Sequence, residues 1–184
     1  REQQLVASRL SSRLHRGLGG YLFALFTLTV PEELAAQRRA GRAQVTFENL
    51  GPDAFTLDAA GKPTPLLTGP GLLYQGALSV GGAATEPEWG ARFRAYPFAQ
   101  ALPGYLSMRV YDQPVLTGVR SMFKLWGGVF PLAGMHDFFV TRARMRFSRP
   151  MPFQVAGDPL GPREEVEFSV AKEKAELLDW SAVG

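Results

Sequence analysis

From Asp137 to Val170 the chain carries the pattern that most restricts its fold. Phe139, Ala143, Met145 and Phe147 alternate with Arg142, Arg144 and Arg146, and Val166, Phe168 and Val170 alternate with Glu165 and Glu167. A period of two puts one face of each run in a core and the other in water, which is the mark of half-buried strands. Between them lies Pro150-Met151-Pro152-Phe153-Gln154-Val155-Ala156-Gly157-Asp158-Pro159-Leu160-Gly161. Gly157-Asp158-Pro159 is turn chemistry, so the two runs are expected to pair as a hairpin with Asp158 at its tip. The arginine row can meet phosphates, but on a sheet it more often faces water or cross-strand acids such as Glu165 and Glu167.

The rest of the chain supports a β-rich fold. Twenty Gly, fourteen Pro and thirteen Phe in 184 residues favour short strands joined by turns over a helical bundle. Strands are expected at Ala43–Glu48, with Ala54–Leu57 returning antiparallel to it, at Leu72–Val80 and at Tyr105–Tyr111, where Leu106, Met108 and Val110 share a face. Pro63 and Pro65 interrupt the pattern. Gly81-Gly82-Ala83-Ala84 reads as a tight turn beneath Trp89, or as a place where backbone approaches a ligand.

Helical spacing occurs twice. Leu10, Leu14, Leu18, Leu22, Leu25 and Phe26 fall on one face between Leu5 and Arg38, with Pro31 able to close one helix and open another. Its most apolar part, Tyr21–Val30, is about half of the roughly 20 residues of a membrane span, so it is expected to dock on the sheet or lie on a lipid surface. Val115, Val119, Met122, Phe123 and Trp126 predict a short helix stopped by Gly127-Gly128. The expected fold is α+β and mostly β: one domain over residues 1–184, an antiparallel β-sandwich with one long N-terminal helix and one short helix after the middle strands.

Several chemistries have no foothold. There is no cysteine, hence no disulfide, thiolate metal site or cysteine nucleophile, which fits a cytoplasmic protein. His15 and His136 are the only histidines and are far apart, a poor basis for zinc; structural roles suit both. A formal net charge of +3 without a long basic run gives nucleic-acid binding little support, and leaves room for weak attraction to an anionic membrane. No Walker loop, dinucleotide fingerprint or nucleophile elbow is present. Trp89–Ala99 interleaves Arg92 and Arg94 with Trp89, Phe93, Tyr96 and Phe98, either a strand with one wet face or a surface for a lipid headgroup. Arg1 in place of an initiator Met predicts a processed or truncated chain.

One resemblance adds to these readings. Phe153-Gln154-Val155-Ala156-Gly157-Asp158-Pro159-Leu160-Gly161 followed by Val166–Val170 resembles the C-terminal domain of the diacylglycerol kinase and sphingosine kinase-like lipid kinases, which carry (V/I)-D-G-E-P-L-G and then a strand. Arg94–Ala99 and Pro103–Val110 follow the order of that family's L-x-P-x-A and D-G-x-L-x-(V/L) segments. The resemblance implies a bacterial enzyme at the cytoplasmic membrane face that phosphorylates a lipid alcohol such as diacylglycerol. Its ATP and Mg2+ would be held with an N-terminal domain carrying a G-G-D-G-T loop, and the present chain would be the lipid-side domain. Asp158 would be the general base, with Gly81, Gly82, Arg92 and Arg94 beside the substrate. The sequence departs from the pattern where Ala156 replaces the usual Asp, where Asp158 replaces the usual Glu, and where Pro103 replaces an Asp that binds metal in several bacterial members. Those losses favour an alternative, a catalytically silent lipid-binding module.

Overall fold

The computed structural model describes residues 30–88, 93–156 and 158–172. Helix α1 (Val30–Ala40) comes first and ends at Gly41, whose positive φ of 71° is the left-handed conformation common after a helix. The remainder of the long helix expected from Leu5 lies outside the described residues. Strands follow as β1 (Gln44–Asn49), β2 (Asp53–Leu57), β3 (Pro63–Thr68), β4 (Gly71–Ala77), β5 (Val80–Ala84) and β6 (Leu106–Tyr111). Two short helices, α2 (Val115–Arg120) and α3 (Met122–Trp126), precede β7 (Met135–Val140), β8 (Arg142–Val155) and β9 (Asp158–Ser169). Among the described residues these strands form two antiparallel sheets, β4-β1-β8-β9 and β3-β2-β7-β6-β5.

The core lies between the sheets and follows the alternation read in the sequence. Val45 and Phe47 of β1 and Ala143 and Met145 of β8 meet Met108 and Val110 of β6 and Phe138 and Val140 of β7, all buried. Phe47 joins the layers edge-to-face with Phe138, ring centroids 5.2 Å apart. A third layer covers the outer face of the five-stranded sheet. Ser107, Arg109, Tyr111, Asp137 and Phe139, which point away from the sandwich core, are buried beneath residues such as Ala95, Tyr96 and Ala99.

Four expectations change with this topology. β2 does not return along β1; it crosses to the other sheet and pairs with β3 and β7. The proline-broken segment is β3, an edge strand, where a residue without an N–H is tolerated. Leu72–Val80 divides at Leu78-Ser79, and Asp137–Ser148 divides at Thr141, so each apparent strand serves both sheets. Val115–Trp126 is two helices joined at Ser121 and contributes no buried residue.

A buried amide makes the β1–β2 corner possible. Asn49 is 0% exposed; its Nδ2 donates to the carbonyls of Gly51 (2.9 Å) and Gly69 (2.8 Å), and its Oδ1 accepts from the Gly51 amide (3.1 Å). Gly51 is needed because a Cβ there would collide with Thr141 Oγ1. Each buried polar group left unpaired costs about 1–3 kcal/mol, so Asn49→Ala is expected to lower stability by about 3 kcal/mol, seen as a lower urea midpoint with an unchanged slope.

Candidate functional site

Two places on the fold concentrate polar chemistry: the tip of the β8–β9 hairpin, and a corner where β4 faces β7.

At the hairpin, Val155 pairs with Asp158, so Asp158 opens β9. β1 accompanies β8 only as far as Phe147; beyond it the hairpin is a two-stranded arm. Five residue steps on β8, Arg146 to Met151, match two on β9, Glu165 to Arg163, and this bulge bends the arm. Phe153 consequently sits 6.3 Å from Phe168, ring to ring. The tip stays exposed, and among the described residues no ion pair or side-chain hydrogen bond engages Asp158. Ala156 has φ 51°, a left-handed conformation that Asp tolerates better than Ala.

Below the arm the arginine row is an ion-pair ladder. Arg142 and Arg144 bind Glu167, and Arg146 bridges Glu165 (2.7 Å) and Glu48 (3.0 Å). The hydrogen bonds from Arg142 and Arg144 hold the Glu167 carboxyl below its usual range. The row is therefore occupied by cross-strand acids, as the sequence favours.

The other sequence-derived site residues lie elsewhere. Gly81 and Gly82 are not a turn; they belong to edge strand β5 and pair with Val110 and Arg109. Gly82 leaves room for the hydroxyl of buried Tyr96, which would stand 2.8 Å from an added Cβ. Gly82→Val is expected to destabilise by about 1–3 kcal/mol through overpacking, readable as a lower thermal midpoint. Arg94 is exposed, and its backbone N–H donates to the Trp126 carbonyl (3.1 Å). Arg92 and Trp89 lie outside the described residues. The segment from Phe93 is irregular, with Phe93 stacked on Trp126 at 5.0 Å and Phe98 edge-on to Phe130 at 4.9 Å. Pro103 lies in an exposed turn ahead of β6, on the opposite sheet from the arm.

Beneath that irregular segment is a buried charge pair the sequence reading missed. Arg109 and Asp137 are directly opposite on β6 and β7, with Nε and Oδ1 2.6 Å apart. Arg109 Nη1 also donates to the Ala95 carbonyl at 2.5 Å, tying the covering layer to the sheet. Burial pushes the Asp137 carboxyl up against the pull of Arg109, and burial likewise raises the Tyr96 phenol well above its usual range. The available signal was Asp137 itself, an acid directly followed by Phe138-Phe139-Val140.

The second polar corner joins residues distant in sequence. His136 Nε2 lies 2.9 Å from Asp112 Oδ2, Gln113 Nε2 donates to Asp112 Oδ1 at 2.6 Å, and Tyr74 packs on the imidazole with centroids 4.6 Å apart. Burial alone would raise the Asp112 carboxyl, but hydrogen bonds from His136 and Gln113, helped by the charges of His136 and Arg42, hold it below its usual range. Tyr74 is raised by burial and by Asp112. An open cleft of about 440 Å³ adjoins, lined by Leu57, Leu66, Leu73, Tyr74, Phe130 and His136 among others.

Comparison with protein-family models, curated proteins and solved structures finds no match to this chain. The two sites therefore stand on their own geometry. Among the described residues no group of three or more His, Asp or Glu side chains is placed to hold a metal ion, and no helix is long and apolar enough to cross a membrane.

Proposed function

We propose that this chain is the lipid-side domain of an ATP-dependent lipid kinase, with Asp158 as the general base toward a lipid hydroxyl. The observation that carries it is the exposed carboxylate at the tip of the bent β8–β9 arm. Asp158 does no evident work for its own sandwich, and a carboxylate presented in this way suits a cleft completed by a second domain. The motif resemblance at Phe153–Gly161 supports the same assignment. Asp158 would accept the hydroxyl proton as the lipid oxygen attacks the γ-phosphorus of ATP and the β–γ bridging bond breaks, leaving ADP.

Mg2+ in such a reaction neutralises phosphate charge. The described residues do not fit a magnesium site of their own, since no three acids or histidines converge. The part assigned to this chain is the proton and the positioning of the acceptor. On this proposal the intact protein also carries a nucleotide-binding domain with a glycine-rich G-G-D-G loop. The test is transfer of labelled phosphate from ATP to diacylglycerol by that protein. Absence of the loop from the intact protein would remove the kinase assignment.

A second reading, a catalytically silent lipid-binding module, is favoured by Ala156 and Pro103, which stand where the kinase pattern has acids. Lipid that copurifies with a protein unable to transfer phosphate would select it.

A further inference from the structure

The outer face of the helix pair α2–α3 has a composition that water alone does not account for. The Ser121 N–H donates to the Thr117 carbonyl and the Leu125 N–H to the Ser121 carbonyl, both at 2.9 Å, so helical register runs through the joint. In that register the exposed residues Leu116, Arg120, Phe123 and Lys124 form one stripe, while Val115, Val119, Met122 and Trp126 are half-buried behind it. Phe123 is 89% exposed and Leu116 52%, and Val129, whose N–H donates to the Lys124 carbonyl, adds a third exposed apolar side chain. A helix facing water has a polar outer side; this one carries apolar side chains on both.

Charge on this face has one sign. Between Gln113 and Met135 the charged residues are Arg120 and Lys124, with no Asp or Glu. Neither forms an ion pair or side-chain hydrogen bond among the described residues, in contrast to Arg109, Arg142, Arg144 and Arg146. The flanking acids are engaged, Asp112 by His136 in the field of Arg42, and Asp137 by Arg109. The neighbouring segments are balanced in number. Helix α1, packed beside α2, has Glu32 and Glu33 against Arg38 and Arg39. Residues 85–100, which meet α3 where Phe93 stacks on Trp126, have Glu86 and Glu88 against Arg92 and Arg94, and the β2–β3 turn near Phe130 has Asp58 against Lys62.

That pattern selects the occupant. A second copy meeting the same patch about a two-fold axis would set Arg120 and Lys124 against themselves. A stable protein interface buries about 800 Å² on each partner, more than one stripe of three apolar side chains offers. A bilayer containing anionic lipids requires neither self-complementarity nor matched shape: apolar side chains enter the headgroup–acyl boundary while Arg and Lys beside them reach the lipid phosphates. We propose that the outer face of α2–α3 docks on anionic membrane surfaces, with Phe123 and Leu116 inserted and Arg120 and Lys124 on the headgroups. The surface does not involve Asp158 and its test contains no ATP, so its failure would leave the kinase assignment untouched.

The full chain is sedimented with phosphatidylcholine vesicles, with and without phosphatidylserine. Binding is expected to the vesicles with phosphatidylserine, weakening as salt is raised. Phe123→Ser should weaken it about tenfold or more, and Arg120→Gln and Lys124→Gln about fivefold each, with the unfolding midpoint kept because these side chains are exposed. Leu72→Ser, at a comparably exposed apolar position on β4, should bind as the wild type does. Because the chain has no cysteine, Phe123→Cys creates a single labelling position. An environment-sensitive fluorophore there should shift to the blue as anionic vesicles are added, and one at Leu72→Cys should not. No binding to phosphatidylserine vesicles, binding that survives Phe123→Ser, an equal loss in Leu72→Ser, or an unshifted fluorophore at position 123 of bound protein would each overturn the proposal. So would a dimer that Phe123→Ser disrupts in a chain that ignores vesicles, which assigns the face to a second copy. If the Ser variant does not fold, the fluorophore decides.

Discussion

Asp158→Ala is expected to lower phosphoryl transfer to a lipid alcohol by about 10²–10⁴-fold, the range for loss of a positioned general base. The measurement is turnover of labelled ATP with diacylglycerol by the protein that carries both domains. Its stability should hardly change. Asp158 is exposed at the arm tip with no ion pair or side-chain hydrogen bond among the described residues, and surface substitutions of that kind usually fall within about 0.5 kcal/mol. The two readouts separate chemistry from folding: lost turnover with an unmoved urea midpoint is the expected pair. Asp158→Asn keeps the shape but cannot take a proton, and should behave like Ala. Asp158→Glu extends the side chain by one methylene, toward the residue of the kinase pattern, and should retain turnover. Unchanged turnover in Asp158→Ala would remove this residue from the reaction.

Arg109→Met is expected to have the largest effect on folding, about 3–5 kcal/mol at neutral pH, because it strands the Asp137 carboxylate beneath the third layer. The contact from Arg109 to the Ala95 carbonyl is lost as well. The pH dependence has a definite sign. Burial raises the folded-state pKa of Asp137 above its unfolded value of about 3.9, so the folded state binds the proton more tightly. The contribution of this group is therefore fully present below the unfolded value and is lost as pH rises through the folded one. Removing Arg109 removes a pull in the opposite direction, so the folded pKa climbs further and the window widens upward. The destabilisation by Arg109→Met should thus be greatest near neutral pH and shrink on acidification, measured by urea unfolding at several pH values. Arg109→Met combined with Asp137→Leu should recover most of the loss, since a buried pair can be replaced by apolar side chains at little cost. A double variant as unstable as the single one would show that Arg109 acts through packing alone.

Much of the sandwich was legible because one rule governs it. Val45 and Phe47, Met108 and Val110, and Ala143 and Met145 are buried as their alternation requires, and the arginines between the last pair of strands meet Glu165 and Glu167 across the ladder. Which sheet each strand joins was not legible. β7 and β8 are separated by Thr141 alone, and β4 and β5 by Leu78 and Ser79, so periodicity runs through the corner without announcing it. Asn49 fixes another corner by hydrogen bonds to Gly51 and Gly69, a role that depends on where Gly69 lies in space. The third layer was missed for a related reason: Ser107, Arg109 and Asp137 look like solvent-facing positions until another segment is laid over them.

For the sites the division is similar. Asp158 at a hairpin turn follows from local chemistry, because Gly157 permits the backbone angles a turn needs and Pro159 fixes its own φ, both next to Asp158 in the sequence. The sequence by itself determined the strand faces, the hairpin and its acidic tip, all of which rest on short-range steric and hydrophobic preferences. Tertiary structure alone decided that β8–β9 bends as a two-stranded arm, that Arg109 and Asp137 are buried as a pair, and that His136 meets Asp112 and Tyr74. Those outcomes depend on strand register and on what covers each face, and both are set by contacts between residues tens of positions apart.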